Sequence, residues 1–119
     1  PAATIDGNGD LALRQNEVIV TNGVNNDVST GPFSFIKATG PTAAFSLSGF
    51  AGGVDGKILT VLNLTGQNMT IVNQGGSASA TANRINTLTG ADIVTTGNGS
   101  VTMQYSIADN RWMVIAVRD

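Results

Sequence analysis

Ser100-Val101-Thr102-Met103-Gln104-Tyr105-Ser106-Ile107-Ala108-Asp109-Asn110-Arg111-Trp112-Met113-Val114-Ile115-Ala116-Val117-Arg118 closes the sequence and decides its fold. In the first half Val101, Met103 and Tyr105 alternate with Thr102 and Gln104. Strict alternation is the mark of a strand with one wet face. Ser106 to Asn110 then supplies turn-forming residues. Arg111 to Val117 is apolar at nearly every position, which predicts a strand covered on both faces. The segment therefore reads as a β-hairpin, with Tyr105 and Trp112 in the core and the C-terminal strand buried.

Working outward, the same punctuation recurs. Asp92 follows Gly90-Ala91, and Ala91–Thr95 reads as a strand leading through Gly97-Asn98-Gly99 into the hairpin. Lys57–Leu64 is the strongest interior strand, with Ile58, Thr60 and Leu62 on one face and Leu59 and Val61 on the other. Thr65-Gly66-Gln67-Asn68 suits a hairpin turn, so Met69–Val72 is expected to return antiparallel to it. Residues 73–83 are small and polar. A short helical turn is expected at Ser79–Arg84, with Ile85 and Leu88 pinning the excursion to the core.

The first half follows the same rule. Phe45 and Leu47 oppose Ala44, Ser46 and Ser48, and Phe33, Phe35 and Lys37 oppose Ser34 and Ile36. Val18-Ile19-Val20-Thr21 is a β-branched strand, and Thr4-Ile5 and Leu11-Ala12-Leu13 flank an Asp-Gly, Asn-Gly loop. Helical periodicity does not persist over ten residues anywhere. Strands every eight to fifteen residues, divided by Gly, Asn and Asp, predict an all-β chain: an antiparallel β-sandwich or jelly-roll-like domain. The 119 residues suit one domain, with residues 1–31 as N-terminal strands and loop and 32–119 as the main sandwich.

Composition narrows the function. Charged residues are 12% of the chain, about half the ~25% usual in soluble proteins, so Thr, Asn, Ser, Gln and Gly must wet the surface. Such a surface is easily buried against another subunit, because few ions need desolvating. A homo-oligomer is expected. The six cations are scattered and the net charge is −2, which argues against nucleic acid as a partner. Cysteine is absent, which excludes disulfides and thiolate metal sites; histidine is absent, which removes the ordinary hydrolase triad. No apolar run approaches a membrane-spanning helix, so no membrane insertion is expected. Proline at position 1 reads as the start of a processed product or an excised fragment.

Asp6, Asn8, Asp10 and Glu17 have the spacing of a calcium loop, Glu17 standing twelfth from Asp6. Calcium is the one metal this pattern suggests, and no other cofactor is expected. Leu11 occupies the position where the loop needs Gly, and the flanks read as strands, so a plain pair of tight turns is the stronger reading. Asp27, Asp55, Asp92 and Asp109 stand in or beside loops, where carboxylates ordinarily accept bonds from backbone amides; nothing in the spacing pairs them for acid–base work. Gly52-Gly53-x-x-Gly56 precedes no helix, so it is not a phosphate cradle. Arg84 with Asp92 is a candidate ion pair.

Asp55-Gly56-Lys57-Ile58, Asn83-Arg84-Ile85, Gly90-Ala91-Asp92, Gly99-Ser100-Val101-Thr102, Tyr105-Ser106 and Asn110-Arg111-Trp112 follow one another in an order that resembles C-terminal head domains of bacteriophage tail fibres and related trimeric virion-surface proteins. The likeness covers roughly Gly52–Val117. It implies a β-rich homotrimer on the virion surface, a fibre head, spike or capsid decoration protein without enzymatic activity. Its partners would be other virion proteins and a host surface glycan. Asn22–Gly31, Phe50–Gly56 and 73–83 are the loops such a module would display. The alternative is a carbohydrate-binding or adhesin-like β-sandwich module of a larger secreted, extracellular protein.

Overall fold

The computed structural model describes residues 3–5, 7–75 and 78–119, and these are nearly all strand, loop and turn. Strands run β1 (Ala3–Ile5), β2 (Leu11–Leu13), β3 (Gln15–Ile19), β4 (Gly23–Asn25), β5 (Val28–Ser29), β6 (Phe35–Thr39), β7 (Phe45–Leu47), β8 (Phe50–Ala51), β9 (Ile58–Asn63), β10 (Met69–Ile71), β11 (Ile85–Asn86), β12 (Ile93–Thr95), β13 (Gly99–Ser106) and β14 (Arg111–Arg118). A single 3-10 turn spans Thr81–Asn83, within the expected helical turn.

Two sheets carry the core. The larger has the order β11-β14-β13-β9-β6-β3 and the smaller β12-β10-β7-β4. Inward residues of both join one apolar cluster: Ile36, Leu59, Val61, Val101, Met103 and Trp112 from the first, Phe45, Leu47, Met69 and Ile71 from the second. The architecture is all-β and sandwich-like, as the alternation predicts. The terminal hairpin holds too, with Tyr105 opposite Trp112 and Val101 opposite Val117.

The sheets are mixed, and the parallel pairings follow a pattern. Gln15 lies opposite Phe35 and Phe35 opposite Thr60, steps of 20 and 25 residues. Gly23 lies opposite Phe45 and Phe45 opposite Met69, steps of 22 and 24. Val28 lies opposite Phe50, a step of 22. Residues 15–71 thus wind as successive coils stacked in parallel, and the β13–β14 hairpin closes the larger sheet against β9. Short strands joined by Gly-rich corners suit such coils, because each corner needs a bend that other residues resist. Gly40, at φ +107, is one: a Cβ there would lie 2.5 Å from the Val20 carbonyl oxygen.

Several expectations are corrected. Met69–Ile71 does not return along β9; it pairs parallel with β7 and antiparallel with β12. Asn63 explains this. Its buried side chain donates to the Gln67 carbonyl at 2.8 Å and accepts from the Thr65 amide at 3.0 Å, so residues 63–67 turn a corner between sheets. The C-terminal strand is buried only at Trp112 and Val114, and Ile115 and Val117 are exposed. The pairing shifts register between Thr102 and Met103, where Ile115 is the extra residue, and this bulge carries the strand's end away from the core. Leu88 is also exposed and does not pin its loop, whereas Ile85 is fully buried. Of the N-terminal strands, β3 and β4 are edge strands of the two main sheets, and β5 pairs with β8.

Candidate functional site

Period-two alternation puts every second residue of the larger sheet on its outer face. There Gln15 and Glu17 of β3 lie beside Phe35 and Lys37 of β6, and Phe35 and Lys37 lie beside Thr60 and Leu62 of β9. Ile58 pairs with Gln104, Thr60 with Thr102, and Gln104 with Met113. Ile36, Ala38, Leu59, Val61, Val101 and Met103 are buried on the opposite face. The outer-face residues are exposed or half-buried throughout. Ile58 is 41% exposed and Ile115 56%.

This surface is broad, apolar in patches and poor in charge. Its ion pair, Lys37 Nζ to Glu17 Oε1 at 3.9 Å, is the one salt bridge among the described residues. Both partners are well exposed, so it contributes about 0–1 kcal/mol; its effect is to leave the patch neutral. Thr60 and Thr102 join hydroxyls across the strands at 2.9 Å. A depression of about 440 Å³ is lined by Gln15, Asn16, Glu17, Phe35, Lys37, Leu62 and Leu64. Phe35 offers a ring, and the amides, carboxylate and ammonium offer hydrogen bonds of both senses.

The calcium-loop residues are only partly brought into view. Asp6 lies outside the described residues; Asn8, Asp10 and Glu17 are exposed, and Glu17 faces Lys37. Among the described residues no group of three or more acidic side chains is placed to hold a metal ion. The loop carboxylates are all hydrogen-bonded, Asp109 within its own turn but Asp55 and Asp92 to segments distant in the chain. Asp55 accepts from the Ile107 amide at 3.0 Å, Asp92 from the Asn73 amide at 2.8 Å and Asp109 from the Ser106 hydroxyl at 2.6 Å. Within the chain Arg84 and Asp92 do not pair: Arg84 Nε donates to the Ser79 carbonyl.

Asp27 is the carboxylate whose importance the spacing did not reveal. It has left-handed backbone, φ +47, and joins two of the expected display loops. Its Oδ1 accepts from Asn83 Nδ2 at 2.9 Å and the Ala80 amide at 2.8 Å, and its own amide donates to Ser79 Oγ at 3.0 Å. The Asn83 bond, then the Ala80 bond, hold its pKa below the ordinary carboxylate range. The buried Ser48 and Ser79 hydroxyls, 2.6 Å apart, continue the latch. Of the third loop, Phe50 is fully buried and Gly53 lies under the Tyr105 ring, which leaves Val54 as its exposed apolar residue. The core aromatics are fixed as well: Trp112 Nε1 donates to the Phe50 carbonyl at 2.9 Å and Tyr105 Oη to the Ala82 carbonyl at 2.8 Å.

No protein-family model matches the chain, and no curated protein matches it.

Proposed function

We propose that the chain is a non-enzymatic structural module of a bacteriophage virion surface, a fibre head or capsid decoration protein, assembled as a homotrimer. The uncovered outer face of the larger sheet carries this reading. An apolar, hydroxyl-rich surface with a self-compensated ion pair can be buried against neighbouring copies without like-charge repulsion and without stranding an ion. The threefold number and the virion setting come from the resemblance to fibre heads. In such an assembly the latched loops around Asp27 and 79–83 remain displayed, where amides and hydroxyls suit a host glycan.

Sedimentation velocity on Ile58→Asp and Ile115→Asp tests the reading. Both sites are exposed, so the chain still folds, and the expected result is a wild-type trimer that these variants break. A trimer unaffected by either charge contradicts the assignment of this face.

One observation favours the alternative, a carbohydrate-binding or adhesin-like module of a larger secreted protein. The depression beside Phe35 combines a ring with hydrogen-bonding groups, the pairing that holds a sugar by its apolar face and its hydroxyls. That reading requires the patch to be free, so a glycan titration that Phe35→Ala abolishes in a monomeric protein would select it.

A further inference from the structure

We propose that the β1–β2 hairpin is an arm that docks on the open coil of a second copy, so that copies join head to tail. The inference rests on the self-association proposed above and names how it is built.

The arm is incomplete alone. Ala3 pairs with Leu13 and Ile5 with Leu11, which places four apolar residues on one face of a two-stranded ribbon. Ile5 and Leu11 are 72% and 65% exposed. A two-stranded hairpin is marginal in water without a surface to lie on. Its own molecule does not offer one, because only Arg14 separates β2 from β3, and the Arg14 carbonyl accepts from the Ser34 and Phe35 amides at 3.1 and 3.4 Å. The root of the arm is thereby held to the larger sheet.

The complementary surface is the first coil. β3, β4 and β5 follow one another in the chain, and each is the edge strand of its sheet. Their free backbone edges are a template for an added strand. The inward residues Val18, Val28 and Phe33 pack on the core but remain half-buried, because no coil stacks beyond them. They border a hollow of about 390 Å³ that includes Val18, Ser29 and Phe33. The open coil also presents Arg14, whose guanidinium lies 4.9 Å over the Phe33 ring. An arm at one place and a receptor at another make a heterologous contact, and three such contacts close a ring.

The chain has no cysteine, so paired substitutions report the contact directly. Leu11→Cys and Ser29→Cys proteins, one of them isotope-labelled, are mixed and oxidised beside wild-type protein whose mass is measured in solution. The expected result is a wild-type oligomer and a mixed disulfide several-fold more abundant than either like-with-like product, lost when Leu13→Asp is added to the arm. A wild-type trimer without excess mixed disulfide overturns the arm and leaves the proposed function standing. A wild-type monomer without it overturns both.

Discussion

At the scale of the residue, Trp112 is the side chain whose loss should be felt most. It is fully buried, stands edge-on to Tyr105 and Phe50 at centroid distances of 5.1 and 6.3 Å, and satisfies the Phe50 carbonyl. Trp112→Phe keeps an aromatic ring but strands that carbonyl, a cost of about 1–3 kcal/mol; Trp112→Ala also opens a cavity and costs about 3–5 kcal/mol. Urea denaturation reads both. Gly53→Ala should destabilise by a different route, since the added Cβ would lie 2.4 Å from the Tyr105 ring. Leu88 has the opposite sign. It is exposed with φ +67, a conformation that costs a non-glycine residue about 1–2 kcal/mol. Leu88→Gly is expected to raise the unfolding midpoint. Asp27 sets a pH dependence. A carboxyl whose folded pKa is depressed adds stability that is complete above its unfolded value and is lost as pH falls through the folded one. The stability gap between wild type and Asp27→Asn should therefore be present at neutral pH and close in acid. A gap independent of pH would show that the carboxylate's charge does not hold the latch.

At the scale of the element, much was legible. The alternation in Val101-x-Met103-x-Tyr105 is local, and period-two burial reports it directly: these three are buried and Gln104 is exposed. Phe45 and Leu47 behave in the same way. What was not legible is which strands pair. A strand with one apolar face looks the same beside a parallel or an antiparallel neighbour, so β10 read as the return of β9 although a corner at Asn63 sends it to β7. The bulge at Thr102 and Met103 also leaves no local mark, and it is what exposes Ile115 in an otherwise apolar run. The Asp27 latch spans more than fifty positions in the chain, a separation that no motif spacing records. The Asn63 corner has its own prediction: Asn63→Ala leaves the Thr65 amide without its partner and removes the bond to Gln67, costing about 1–3 kcal/mol by chemical denaturation.

At the scale of the whole molecule, one sheet has two unlike faces. The inner face is closed by the second sheet into a single core, and the outer face stays open with Ile58, Leu62, Met113 and Ile115 among threonines and glutamines. The chain has few ions to keep such a surface apart from its copies. The proposed self-association follows from that imbalance, its threefold number from the resemblance to fibre heads, and the proposed arm adds a second contact. Raising salt should leave the assembly almost unchanged, because apolar burial and not ion pairing holds it; a trimer that falls apart as salt rises would point to charges instead. The mass of the wild-type protein in solution, followed by light scattering through a dilution series, tests the account most directly. It predicts three times the chain mass, falling only on strong dilution, and a particle with the mass of one chain at every concentration would contradict it.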